Sequence, residues 1–334
     1  MCIFYWGLTG YLFTECIQLC CLMYLYIPRI TFCILILQKE STHVEYLPKM
    51  LRFKILMQLE SVDAKKVAFL FFLFINILGL GYTILVTLLI FFTTIFITLP
   101  VICQNDSEYW SRVIVLLFIL FNIAINLWFV TKKKSLYQKE SIHYLPDSSW
   151  SECTNCGKIP PRTHHCPLCK HCILRRDHHC FFTACCVGEE NQRFFIVFCF
   201  YCGVGCFYCL YLLCQYMPMA NDADSMYSLF QYLLPIAVAE WMIGYIELSL
   251  FVCILTGWLC AVSGFVSFGI FLWQLFLASV GITSHEYDMG VWNYHYNIRH
   301  NLRSVFGRWW LLNFVIPLPC LRIQDTGHSE SKYL

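Results

Sequence analysis

Residues 153–186 read CTNCGKIPPRTHHCPLCKHCILRRDHHCFFTACC. The ligand-type residues run C-x2-C-x8-H-C-x2-C-x2-C-x6-H-C-x5-C. Paired C-x2-C units are the local grip of tetrahedral zinc, which takes two further ligands from a distant segment. The candidates are Cys153, Cys156, His165, Cys166, Cys169, Cys172, His179 and Cys186. Eight ligands make two Cys3His sites. Cys180 is then left over, with His164, His171 and His178. The stretch has few large aliphatic residues, so metal has to supply its folding energy.

On both sides of this stretch the chain is made for lipid. Of 334 residues, 59% are hydrophobic and 13% charged, with mean hydropathy +0.60. A soluble domain carries roughly a quarter charged residues. Val67 to Cys103 contains no Asp, Glu, Lys, Arg or His. These 37 residues exceed the ~20 that cross a bilayer core. One span fills the first two-thirds, and the rest is either a tilted extension or an apolar external segment ending at Pro100. A second span runs from Val113 to Val130, a third from Phe194 to Met217-Pro218, and a fourth from Phe251 to Ser279. The apolar stretch 226–249 is broken by Pro235, Glu240 and Glu247 and reads as an interfacial helix, a fifth span being the weaker alternative. The fold class is an all-α polytopic membrane protein. About four transmembrane helices hold a small Cys-rich, two-zinc domain between the second and third.

This gives five regions: an N-terminal extension (1–66), spans one and two (67–131), the zinc-binding region (132–193), spans three and four with the interfacial segment (194–280), and a tail (281–334). Residues 1–37 are apolar with five cysteines and Glu15, and read as a signal anchor or an extra span. They lack the charged start and small-residue cleavage site of a signal peptide. An alternative is that the working protein begins at Met50.

Charge orients the spans. Residues 104–111 and 218–228 hold no Lys or Arg, whereas 132–193 holds ten and the tail several more. By the positive-inside rule, 132–193 and the tail face the cytosol. Thiols stay reduced there, so metal binding and catalysis are the expected uses of the cluster, not disulfides. A net charge of +2 gives no reason to expect a nucleic-acid partner.

Cys180 follows Asp177-His178-His179. An imidazole can take a thiol's proton, and a carboxylate can orient the imidazole. Two adjacent histidines can divide the labour, one ring on zinc and one as base. The alternative is that Cys180 is a spare ligand of a purely structural module. Cys199, Cys202, Cys206, Cys209 and Cys214 read as small packing residues of the third span.

The pattern C-x2-C…P-x-R…H-C-x2-C-x2-C-x4-D-H-H-C…C-V-G-x2-N-x3-F, from Cys153 to Phe195, resembles the cysteine-rich domain of the DHHC protein S-acyltransferases (palmitoyltransferases). Thr283-Ser284-His285-Glu286 resembles that family's T-T-x-E, and Asn301 to Gly307 its N-x3-VFG element. The likeness covers roughly 67–310 and points to a divergent branch, similar to the vertebrate type-24 members.

The resemblance implies a palmitoyltransferase that moves a fatty acyl group from acyl-CoA to Cys180 and then to a cysteine of a membrane-associated protein. It implies His178 as base, Asp177 as its orienter, Ser284 hydrogen-bonded to Asp177, and Asn301 pinning the tail against the catalytic domain. Cys153, Cys156, His165 and Cys172 would bind one structural zinc; Cys166, Cys169, His179 and Cys186 would bind the other. Arg175, Arg176 and Phe182 would meet the acyl-CoA, the alternative for the arginines being a headgroup-facing surface. The partners are the bilayer, acyl-CoA and proteins with cytosolic cysteines; the place is a Golgi or endoplasmic reticulum membrane. The chain departs from the family at Phe181-Phe182, where Pro-Trp is usual, and at Ala184-Cys185, where an Asn pair is usual. The stretch from Cys156 to His165 is one residue short, and the D-P-G motif is replaced by Leu145-Pro146-Asp147. These departures favour the competing function, a zinc-stabilised membrane adaptor without turnover. A transporter fits poorly, because the spans carry few charges that could line a path.

Overall fold

The computed structural model describes residues 62–138, 150–220, 230–292, 296–307 and 312–315. The expectations for residues 1–61, for Leu145-Pro146-Asp147 and for the end of the tail lie outside them. The chain divides into two compact units, Met1–Phe74 and Ile75–Leu334. The second contains the Cys-rich region and the apolar helices from Ile75 onward.

Four helices are long and apolar enough to cross a membrane, with the Cys-rich region between the second and third. The first combines α1 (Val62–Thr93), a π-helical turn (Thr94–Thr98) and α2 (Leu99–Ile102). Pro100 does not end it. Proline has no N–H and clashes with the carbonyl four residues back, and the wider π turn just before it absorbs that defect. The helix therefore reaches Ile102, as the extension of a single span.

α3 (Asp106–Lys132) starts seven residues before the expected Val113, because its first two turns are polar yet well capped. The Asn105 side chain accepts from the Glu108 amide at 2.9 Å, and Glu108 accepts from the Gln104 amide at 3.1 Å. Asp106 and Glu108 lie at the positive end of the helix dipole and Lys132 at the negative end.

α4 (Gln192–Ala220) is the central span and packs on both α3 and α6 (Leu248–Val280). Leu212, Leu213, Cys209, Ile196 and Phe194 of α4 are buried there. The outward faces keep exposed apolar side chains such as Leu85, Ile114 and Phe121. Lipid removes the usual penalty for exposing them. Between α4 and α6, α5 (Leu234–Met242) has nine residues with Pro235 in its first turn. That is too short to span, so the fifth-span reading fails among the described residues.

The Cys-rich region consists of three two-stranded antiparallel hairpins: β1 (Ser151–Cys153) with β2 (Gly157–Ile159), β3 (His164–Cys166) with β4 (His171–Ile173), and β5 (His178–Cys180) with β6 (Cys185–Val187). Asn191 ties them to α3. Its amide donates to the Val130 and Cys186 carbonyls at 2.9 and 3.0 Å, and its oxygen accepts from the Gly188 amide at 2.8 Å. After Gly281 closes α6, a capping box of Thr283 and Glu286 starts the short α7 (Ser284–Asp288). α8 (Ile298–Phe306) follows and packs on α6, and α9 (Leu312–Val315) lies on α4.

Candidate metal centre and thiol site

Each hairpin turn begins with a cysteine and places the residue four further on in the left-handed region: Gly157 after Cys153, Lys170 after Cys166, Ala184 after Cys180. The second and third hairpins also share a register. His165 faces Cys172 as His179 faces Cys186, and Cys166 faces His171 as Cys180 faces Cys185. The C-x2-C pair of one hairpin and the facing His/Cys pair of the next form one cluster. Cys153 and Cys156 meet His165 and Cys172; Cys166 and Cys169 meet His179 and Cys186. In each set all ligand atoms lie within 4.8 Å of one another.

These two clusters can each hold a metal ion. The thiolate–imidazole donors suit zinc. A tetrahedral zinc with bonds of about 2.3 Å to sulfur and about 2.0 Å to nitrogen requires ligand separations of about 3.5–3.8 Å. Cys153 and Cys172 sulfurs are 3.6 Å apart, and Cys169 and Cys186 sulfurs 3.4 Å. His165 Nδ1 lies 3.7 Å from the Cys156 and Cys172 sulfurs. His179 Nδ1 lies 3.8, 3.4 and 3.6 Å from those of Cys166, Cys169 and Cys186. Both histidines thus offer Nδ1. The Nε2 of His179 meets Asn76 Oδ1 on α1 at 2.9 Å, the outer contact that fixes a ligating ring. Asn76 sits in an apolar span, and nothing in the sequence near it marks it as part of a metal site.

The third hairpin repeats the grip incompletely. Cys180 stands where Cys166 stands, but Thr183 replaces the second cysteine, and among the described residues no fourth hairpin follows. Cys180 is outside both clusters.

Cys180 is buried within electrostatic reach of the His178 ring. The other side of that ring is fixed, Nδ1 lying 2.6 Å from Asp177 Oδ2. Asp177 is 2% exposed and fully engaged. It accepts from the Ser284 amide at 2.5 Å, the Ser284 hydroxyl at 3.2 Å and the Gln274 amide at 2.7 Å. Gln274 also donates to Ser284 Oγ at 3.1 Å. Burial alone would raise the Asp177 carboxyl, but the His178 contact, then Ser284 and Gln274, hold it below its ordinary value. Burial would lower His178, but Asp177 and Cys180 push it up to about 10. Burial would raise the Cys180 thiol, but His178 brings it below the ordinary thiol range. His178 thus favours the charged form of the Cys180 sulfur, and the Cys180 sulfur favours the charged form of the ring. Gln274 has no sequence signal; it reaches Asp177 from 97 residues away.

The remaining expected residues lie around this line. Asn301 donates to the Ser279 and Tyr296 carbonyls at 2.8 and 3.0 Å, so it ties α8 to the end of α6 and not, as the resemblance implies, to the hairpins. The tail meets the hairpin region through Arg175, whose Nη1 is 3.4 Å from Ser304 Oγ. It also does so through Arg162, which clasps both Glu286 oxygens at 2.6 Å. Arg176 is buried with Nη1 3.4 Å from His285 Nδ1. The Nε atoms of Arg175 and Arg176 are buried without a protein partner. His164 packs edge-on against His285, ring centres 4.2 Å apart. Phe182 is 45% exposed beside Tyr82, and its carbonyl accepts from Thr83 at 3.1 Å. Gly79 admits this turn: a Cβ there would lie 2.5 Å from the Phe181 carbonyl oxygen.

Comparison with known proteins points to the same region. Residues 147–290 match the model of the DHHC palmitoyltransferase family. The chain is 35% identical over 160 residues to palmitoyltransferase ZDHHC22 of Rattus norvegicus, covering 48% of this chain and 61% of that protein. The Homo sapiens ZDHHC22 is 35% identical over 159 residues, 47% and 60% of the two chains. The probable palmitoyltransferase ZDHHC24 of Mus musculus is 30% identical over 190 residues, 54% and 63%. The alignments thus span about three-fifths of the length of these relatives.

Proposed function

We propose that this chain, whose residues 147–290 carry a domain of the DHHC palmitoyltransferase family, is a protein S-acyltransferase with Cys180 as nucleophile, His178 as base and Asp177 as orienter. The observation that carries the reading is the Asp177–His178–Cys180 line, which stands beside two Cys3His clusters and outside both.

The Cys180 thiolate attacks the carbonyl of a fatty acyl-CoA. The carbon–sulfur bond to CoA breaks, and the departing CoA sulfur takes the proton held by His178. His178 then accepts the proton of an incoming protein cysteine, whose sulfur attacks the Cys180 thioester and frees Cys180. Asp177 keeps the ring oriented and balances its charge through both steps. When bound, zinc supplies folding energy to a region with almost no apolar core. The chain's own residues do the chemistry. The exposed ring of Phe182, two residues from Cys180, supports an acyl chain there, and the guanidinium charges of Arg175 and Arg176 support the CoA phosphates.

Burying each CH2 of the acyl chain is worth about 0.8 kcal/mol. A site at the membrane face therefore lets the spans hold the chain while the CoA head stays in water. The basic charge of 132–193 supports a cytosolic site, and the family resemblance supports a Golgi or endoplasmic reticulum membrane.

In-gel labelling of full-length protein with a clickable fatty acid tests the proposal. Wild type should take a hydroxylamine-sensitive label, and Cys180→Ser should take none while keeping two zinc ions per chain. Wild type with two zincs but no such adduct from any acyl-CoA tried would replace the enzyme with the adaptor. Loss of zinc in Cys180→Ser would overturn the division between ligands and nucleophile.

A further inference from the structure

We infer that Cys185 is a resolving cysteine for Cys180, so that a small oxidant such as hydrogen peroxide converts the two into a disulfide across the third hairpin. The register places them directly opposite one another on antiparallel strands. Opposed residues of such a pair point to the same face, with Cα atoms about 4.5–5.5 Å apart. That interval lies within the about 4.4–6.8 Å that a disulfide requires. Neither residue belongs to a metal cluster, and both are buried in the same apolar surroundings. They also share one neighbour. The Thr183 hydroxyl lies 3.5 Å from Cys185 Sγ and donates to the Cys180 carbonyl at 3.4 Å. Cys185 Sγ now rests 3.6 Å from the Val130 carbonyl, a contact that bond formation would give up. In the matching hairpin the opposed pair is Cys166 and His171, which cannot make this bond.

The step balances. The Cys180 sulfur attacks peroxide, breaking the O–O bond to give a sulfenic acid and hydroxide. The Cys185 sulfur then displaces the sulfenic oxygen, which leaves as water with the thiol proton. Two thiols are oxidised and one peroxide is reduced to two waters. The bond ties up the thiol that the proposed acyl transfer uses, so the loss of activity rests on that reading, whereas the bond itself does not.

The zinc-loaded full chain in detergent is treated with peroxide, alkylated, digested without reductant and mapped by mass. The peptide containing Cys180, Cys185 and Cys186 should lose two hydrogens. Alkylation should survive at Cys186 alone, and zinc content should stay unchanged. Dithiothreitol should restore both thiols and acyl labelling. In Cys185→Ser, labelling before oxidation should be retained. Peroxide should then drive Cys180 to sulfinic acid, and dithiothreitol should fail to restore it. Sulfinic Cys180 in wild type, a bond to Cys186 with loss of zinc, or a bond to Cys199 would each overturn the inference. Failure of labelling in untreated wild type, with the disulfide still formed, would overturn the acyltransferase reading and leave this one standing.

Discussion

His178 and His179 are neighbours in the chain with opposite surroundings. On a strand, successive side chains point to opposite faces. His178 therefore shares a face with Cys180 while its Nδ1 meets Asp177, and His179 faces Cys166, Cys169 and Cys186. His178→Ala should slow acyl-enzyme formation by about 10²–10⁴-fold, the usual worth of a positioned base, and leave zinc content intact. His179→Ala should lose one zinc and destabilise the protein. Equal zinc loss in both variants would refute the division of roles. The charge state gives a second check. His178 holds the Cys180 thiol below its ordinary range, whereas a free thiol titrates at about 8.5. The alkylation rate of Cys180, followed by peptide mass against pH, should therefore rise to its plateau at lower pH than for a free thiol. Without His178 the thiol loses the cation that favours its charged form, so His178→Ala should move the inflection upward. A wild-type inflection at or above that of a free thiol would contradict the ion pair. Asp177, His178 and Cys180 were legible because they are close in sequence. Gln274 was not, because an isolated glutamine in an apolar span carries no local pattern.

The hairpins are the element least visible in the sequence. Strands of three residues show no alternation to read, and their interior is sulfur and metal in place of aliphatic side chains. The ligand spacing still carried eight ligands and two sites, because a zinc site needs local pairs, whereas the division into two fours came from the family resemblance. The spacing could not reveal the repeat that leaves Thr183 where a ligand would stand. Nor could it show that the second cluster leans on α1. Asn76 holds the outer nitrogen of His179 at 2.9 Å, and losing such a partner typically weakens metal binding about 10–100-fold. Asn76→Ala should release one of two zincs at chelator concentrations that wild type survives, while the cluster of Cys153, Cys156, His165 and Cys172 keeps its ion. A zinc-sensitive dye in a chelator titration would resolve the two releases. Unchanged release, or equal weakening of both, would show that the Asn76 contact has no such role.

The four spans were legible because lipid imposes one requirement, a long uncharged helix, that composition alone reveals. Their ends were not. Capping carried α3 back to Asp106 through residues whose polarity had excluded them, and a π turn carried the first span past Pro100. Neither device changes how many times the chain crosses. Helices that alternate in direction put 103–105 and α5 on one face. The hairpins and α7 lie on the other. Among the described residues the second face collects most of the basic charge: Lys132, Lys133 and Lys134 leave α3, Arg193 enters α4, and Arg299 and Arg303 lie on α8, whereas Arg112 near the first face is paired with Glu108. The potential of an anionic cytosolic leaflet and the positive-inside bias act in the same direction on this asymmetry. A glycosylation acceptor inserted at 104–105 should therefore be modified in the lumen, and one inserted at 157–158 should not. In sealed microsomes, protease added outside should cut the hairpin region and the tail after α8 and spare 103–106. A lumenal modification within 151–187 would place the thiols in an oxidising compartment. It would remove the cytosolic acyl-CoA from reach of Cys180, and the enzyme reading would fall with it.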